Sequence, residues 1–157
     1  MATTLAKSLR SDTISELKLR EICSVTPQAT IKEAVDCMRQ RRTGCVLVVD
    51  QSQLVGIFTE RDYVARVVAA GLDVLQPVHE VMTPSPKTIR VTAGVQVVIE
   101  LMEKDGYRHV PVVDEKGQPI GVLSVKDIVH YLVEYFPANI YNLPPTPDQS
   151  QPAREGA

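Results

Sequence analysis

The chain has 157 residues, with 17 Lys and Arg against 19 Asp and Glu and a formal net charge of −2. That balance, with no Trp, two Phe and five Tyr, argues against a dedicated nucleic-acid binder, which needs a basic face or an aromatic stacking platform. Apolar residues at 44% and charged residues at 23% are ordinary globular composition. A chain of this length buries a real core without metals or disulfides, and no apolar run approaches the roughly 20 residues of a membrane span.

Near the N-terminus, Ala6-Lys7-Ser8-Leu9-Arg10 breaks any signal-peptide run, so a cytoplasmic location is expected. Cys23, Cys37 and Cys45 are odd in number and lack metal-ligand spacing. They read as small core hydrophobes in a reducing compartment. A short strand is predicted at 23–25, followed by a helix at 31–42. Ile31, Ala34, Val35 and Met38 mark its buried face, and Thr30 with Glu33 form a capping box at its start. Strands at 45–49 and 54–58 follow, and a helix begins after Thr59 and stops at Gly71.

The same order then recurs. Ile14-Ser-Glu-Leu17 matches Val78-His-Glu-Val81, and Ile31, Ala34, Val35 and Met38 match Val95, Val98, Ile99 and Met102, all at an offset of 64. Cys45-Val-Leu-Val-Val-Asp50 matches His109-Val-Pro-Val-Val-Asp114 at 64, and the next segment matches at 65. The second copy predicts a strand at 88–91, a helix at 94–105 ended by Gly106, strands at 109–113 and 120–123, and a helix from Ser124 to Pro137. The fold class is therefore α/β (α+β), with two β-α-β-β-α units. One such unit leaves an apolar sheet face uncovered, so the two should pack together, with clefts at the seam. The expected division is an extension at 1–12, repeats at 13–72 and 73–136, and a tail at 137–157. Tyr131, Tyr135, Phe136 and Tyr141 read as a local packing anchor, and the Pro-rich stretch after about 143 as mostly disordered.

The sharpest pair of motifs is Gly56-Ile-Phe-Thr-Glu-Arg-Asp62 and Gly121-Val-Leu-Ser-Val-Lys-Asp127. Each sets a hydroxyl at a strand-to-helix junction, with an acid three residues on. Thr59 and Ser124 are good N-caps, and that alone would explain a single copy. The same geometry also suits a nucleotide. A helix start and Arg61 or Lys126 favour phosphate, while Asp62 or Asp127 can accept from vicinal ribose hydroxyls. Retention of cation and acid in both copies favours a ligand.

These motifs, in matched frames over residues 13–136, resemble a tandem pair of CBS domains, or Bateman module. The resemblance implies two repeats packed through their sheets with pseudo-twofold symmetry. It implies a regulatory module that binds an adenine nucleotide (AMP, ADP or ATP) in the inter-repeat clefts, forms a homodimer and signals to an unidentified regulated protein. Carried over, Asp62 and Asp127 hold ribose, and Thr59 and Ser124 meet phosphate or ribose. Ser24, Val25 and Thr26, or Thr88, Ile89 and Arg90, support the base. Thr43, Gly44 and Cys45, or Tyr107, Arg108 and His109 with Pro111, line the pocket. Tyr107-Arg108-His109-Val110-Pro111 follows the family pattern more closely than Thr43-Gly44-Cys45-Val46-Leu47, so the Asp127 cleft is the favoured site. His109 could pair with phosphate when protonated. No nucleophile–base pair, P-loop or metal cluster appears, so catalysis and a required cofactor are not expected. Two rivals stay open: a ligand-free interaction or dimerisation module, and a binder of another adenosyl ligand such as NAD or S-adenosylmethionine.

Overall fold

The structure, a computed structural model, describes Leu9 and residues 11–136. The expectations for the first eight residues, for Arg10 and for the tail from 137 on, Tyr141 included, lie outside the described residues. The chain runs β1 (Ser24–Val25), α1 (Ile31–Arg41), β2 (Cys45–Asp50), β3 (Gln53–Thr59) and a single α-turn, α2 (Glu60–Asp62), which continues as a π-helix (Tyr63–Val68). It then runs β4 (Thr83–Pro84), β5 (Ile89–Arg90), α3 (Val95–Asp105), β6 (His109–Val113), β7 (Pro119–Ser124) and α4 (Val125–Tyr135). The β-α-β-β-α order thus occurs twice.

Local chemistry sets the boundaries. Thr30 and Glu33 form the expected capping box: the Glu33 N–H donates to Thr30 Oγ1 at 3.1 Å, and the Thr30 N–H donates to Glu33 Oε2 at 2.7 Å. Helix α1 ends where Arg42 turns left-handed (φ 51°). The β2–β3 turn is tighter than expected. Both strands extend until only Gln51 and Ser52 join them, with φ of 46° and 68°, the signature of a two-residue primed turn.

Two sheets result, one ordered β1-β2-β3-β4 and the other β5-β6-β7. Alternation along the strands divides the side chains between two faces. Val46, Val48 and Phe58 face inward with Ile31, Ala34 and Met38 from α1, forming the first core. Val110, Val112 and Leu123 join Val95 and Val98 from α3 in the second. Cys45, Leu47 and Ile57 face the other way and meet Val122 of the second sheet. This third cluster is the seam, and it covers the apolar faces that each unit alone would leave in water.

One feature of the packing is absent from the repeat pattern: the approach segments are exchanged. Ile14 and Leu17 open the first repeat but are buried in the second core. There the Ile14 N–H donates to the Ala93 carbonyl at 2.9 Å, and Arg20 bridges to Val122 of β7. Val78 and Val81 open the second repeat but are buried in the first core. The Val78 N–H donates to the Ala29 carbonyl at 2.8 Å, and β4 pairs antiparallel with β3. Equivalent side chains clamp both segments. Arg66 of the π-helix donates to the carbonyls of Val81 and Met82, each at 2.9 Å. Tyr131, 65 positions later, donates its hydroxyl to the Asp12 carboxylate. Tyr131 also packs against Tyr135 with its ring tilted and against Phe136 edge to face, at 5.1 and 6.0 Å between centroids.

The cysteine expectation needs correction. Cys23 and Cys37 are joined in a disulfide across a sequence separation of 14, because β1 and α1 bring them together against the first core. Cys45 alone keeps the expected character of a buried free thiol. An argument for a reducing compartment from unpaired cysteines therefore loses its basis. No described helix is long and apolar enough to cross a membrane.

Candidate functional site

Both motif aspartates sit at the third position after a strand, and both close a capping box. The Thr59 N–H and hydroxyl donate to Asp62 Oδ2 at 2.9 and 2.8 Å, and the Asp62 N–H returns to Thr59 Oγ1 at 3.2 Å. The Ser124 N–H and hydroxyl donate to Asp127 Oδ2 at 2.7 and 2.6 Å, and the Asp127 N–H returns to Ser124 Oγ at 3.3 Å. Each hydroxyl hydrogen is thus committed to its own aspartate. In this arrangement Thr59 and Ser124 can offer a ligand only an acceptor. Oδ2 closes the cap in both repeats, which leaves Oδ1 for other partners.

The outward oxygens differ. Asp127 Oδ1 accepts from Arg20 Nε at 2.8 Å, whereas Asp62 Oδ1 lies 3.5 Å from Arg66 Nη2. Both aspartate side chains are 13% exposed. Burial pushes the Asp127 carboxyl upward, but hydrogen bonds from Ser124 and Arg20 outweigh it and hold the group below its ordinary value.

Each aspartate opens onto a cavity. The Asp62 cavity, about 600 Å³, is lined by Thr59 and Arg61 of its own repeat, by Thr83 and Lys87, and by Tyr107, Arg108 and His109. The Asp127 cavity, about 660 Å³, is lined by Leu19, Arg20, Arg41, Thr43 and His130. Each pocket therefore takes its aspartate from one half and its facing wall from the other. The preference for the Asp127 cleft rested on grouping it with Tyr107, Arg108 and His109, but the crossed packing sets those residues opposite Asp62. A third cavity of about 650 Å³ lies between, where Gly44, Arg108 and His109 meet Ser124 and Lys126. Arg20, Arg39 and Arg42 also line it, against the single acid Glu60, so it is strongly cationic.

His109 sits at the centre. Its ring lies so close to Gly44 that a Cβ there would be 3.1 Å from Cε1. Burial pushes its imidazole below the ordinary value, with Glu60 and Asp127 pulling the other way. The neutral ring is favoured near pH 7, which fits a packed strand-end histidine better than a cation paired with phosphate, the two readings the sequence left open.

Ser24, Val25, Thr88, Ile89 and Pro111 line none of these three cavities. Ile89 is buried in the second core, Val25 packs on the first, and Pro111 is buried opposite Val122 in the β6–β7 ladder. The backbone of Ser24 is paired with Leu47. Sequence reasoning missed Arg66, Thr83, Lys87 and Arg20. Arg66 was findable, since it follows Asp62 by one helical turn. Arg20 was not, because nothing in a linear repeat says that it faces the other repeat's aspartate.

A family model for the CBS domain matches residues 14–69 and 78–134. The chain is a CBS pair. An uncharacterised 17.7 kDa protein of Acidianus ambivalens is 31% identical over 122 residues, which cover 77% of this chain and 73% of that one. The mitochondrial CBS domain-containing protein CBSX3 of Arabidopsis thaliana is 36% identical over 114 residues, 69% of this chain and 55% of its own length. Among solved structures, a CBS domain protein from Pyrobaculum aerophilum complexed with AMP superimposes with a TM-score of 0.70 at 31% identity, covering 78% of this chain and 99% of that one.

Proposed function

We propose that this CBS pair is a stand-alone regulatory module without catalytic activity, and that it binds an adenine nucleotide between its halves. The observation that carries the reading is the pair of capped aspartates, each lining a cleft that shares wall residues with the cationic chamber. Oδ1 is suited to the ribose diol, while Arg108 and Lys126 are placed to meet phosphate. With Trp absent and only the rings of Tyr107 and His109 among the described lining residues of the Asp62 cavity, aliphatic side chains and backbone would hold most of the base. The AMP complex of the Pyrobaculum relative supports AMP as the first ligand to try. The cytoplasm is the proposed compartment, since a free nucleotide pool is what such a sensor reads.

Regulation needs no chemistry, only unequal affinity for two arrangements of the module. A homodimer is part of the proposal. Val64 and Val68 in the first half, and Val125 and Val129 in the second, form exposed apolar ridges with i, i+4 spacing. Sedimentation should then show twice the chain mass. Calorimetry with AMP, ADP, ATP, NAD and S-adenosylmethionine tests the ligand. The absence of saturable heat for all five would leave the interaction module as the better reading, and those exposed ridges are the observation that favours it.

A further inference from the structure

We infer that Arg20 makes the two halves unequal, occupying the ribose-facing oxygen of Asp127 so that the Asp62 pocket binds nucleotide more tightly. The inference rests on the adenine-nucleotide reading and concerns which of its two sites fills first. It follows from counting acceptors. A carboxylate offers about four lone-pair directions, two on each oxygen. In both repeats Oδ2 takes two donors, the N–H and the hydroxyl of the cap. At Asp62, among the described residues, the other oxygen has only Arg66, at 3.5 Å, which leaves both directions for two vicinal hydroxyls. At Asp127 the Nε of Arg20 takes one of them at 2.8 Å, and a diol needs both.

Sheet register shows why the halves differ. Arg20 bridges to Val122 of β7, and Thr83 pairs with Ile57 of β3. Val122 and Ile57 are equivalent residues of the two repeats, so Arg20 and Thr83 hold the same place in the exchanged segments. Thr83 is short, and its hydroxyl accepts from Arg66 Nη2 at 3.1 Å, which turns that guanidinium partly away from Asp62. Arg20 is long enough to cross the cleft. Leu19 lies directly over Gly121, holding the backbone of the segment at the distance from which Arg20 reaches Asp127. The unequal element is thus one side chain on the strap that each half lends to the other.

The test isolates each site on the full chain and titrates AMP by calorimetry. Asp62→Ala leaves only the Asp127 site, and Asp127→Ala leaves only the Asp62 site. Asp127→Ala is expected to bind more tightly than Asp62→Ala. Adding Arg20→Ala, or the length-preserving Arg20→Gln, to Asp62→Ala should tighten AMP binding by roughly three- to tenfold, the worth of a half-exposed charge-assisted bond. Added to Asp127→Ala, neither change should tighten binding, and loss of the charge that Arg20 lends the central chamber should weaken it at most modestly. If loss of Arg20 weakens the Asp127 site or leaves it unchanged, Arg20 holds ligand or is a bystander, and the inference fails while the nucleotide reading stands. If both single aspartate variants bind AMP as the wild type does, the aspartates do not hold the ligand and the inference fails; if none of the chains binds it, the nucleotide reading itself fails and the inference falls with it.

Discussion

Gly56 and Gly121 open the two motifs, and the structure gives their missing side chains a reason that can be tested. Each lies under an exchanged segment. A Cβ on Gly56 would sit 2.2 Å from Met82 Sδ, 2.9 Å from Cε and 3.0 Å from Cγ. A Cβ on Gly121 would sit 2.9 Å from Leu19 Cβ and 3.0 Å from Cδ1. Distance alone ranks Gly56→Ala as the worse change, but chemistry ranks it the milder. The sulfur and methyl of Met82 are the far end of a flexible side chain and can swing aside. The Leu19 Cβ is fixed to its backbone, so the strap itself must move. Overpacking of that kind costs about 1–3 kcal/mol. Replacing Gly by Ala also restricts the unfolded chain, which returns about 0.4–1 kcal/mol. Gly121→Ala should therefore lose about 1–2 kcal/mol net, a fall of about 2–8 °C in Tm for a chain of this size. Gly56→Ala should stay within about 0.5 kcal/mol of the wild type. Thermal and urea unfolding followed by circular dichroism measure both. A Gly121→Ala chain as stable as the wild type, or a Gly56→Ala chain that loses more, would refute the exchanged-strap explanation of these glycines.

Other outcomes follow from the caps, the titrating groups and the thiols. Thr59→Ala and Ser124→Ala each remove an N-cap and should lower stability by about 1 kcal/mol in the same unfolding experiments; no loss at either would mean the caps are idle. The folded pKa of Asp127 lies below its unfolded value, so its contribution is present at neutral pH and fades as acid protonates it. Between about pH 5 and 2 the wild type should lose more stability than Asp127→Asn, and parallel acid limbs would contradict this. His109 is also depressed, but it gains charge in acid. The unfolded chain takes the proton first, so stability should fall as pH drops below about 6.5, and His109→Gln should flatten that slope. Without reductant, the denatured chain should show one free thiol, Cys45, rather than three. In the native state burial pushes that thiol up to about 11, so it should react slowly with a thiol reagent. Finding three thiols in the oxidised chain would remove the disulfide. Reducing it should cost about 3 kcal/mol for a loop of this length.

Periodicity and capping chemistry are local, and local features were legible in the sequence. The buried face of α1, the capping box at Thr30 and the N-caps at Thr59 and Ser124 follow from spacing that one segment carries by itself, and the two-fold recurrence from comparing segments 64 residues apart. What was not legible depends on which body a segment packs against. Ile14 and Val78 look alike in a linear repeat, and either would fill either core. The linear repeat aligns Arg20 with Pro84 at its offset of 64, whereas the sheets align it with Thr83. The Cys23–Cys37 pair escaped for a similar reason: a strand and a helix bring together residues whose spacing fits no familiar motif. The strand at Thr83–Pro84 has no alternation to announce it and exists because β3 offers it an edge.

The exchanged straps also bear on how a bound ligand could be felt elsewhere. A rigid clamp wholly within one repeat would report only to itself. Here the Asp62 pocket is closed by Thr83, whose segment Arg66 ties to the first core, and by Tyr107–His109 of the second repeat. The Asp127 pocket is closed by Arg20, which sits on the strap beneath the second core, and by Thr43 of the first repeat. Anything that draws an aspartate and its facing wall together therefore pulls the two halves across the Cys45, Leu47, Ile57 and Val122 seam. Close packing at that seam favours discrete arrangements over gradual deformation. On the proposed nucleotide reading, occupancy of one pocket would bias the relative placement of both repeats, and with it the exposed Val68 and Val129 and their neighbours Val64 and Val125, which also line the clefts. A regulated partner, or the second copy in a dimer, would read the ligand through those ridges.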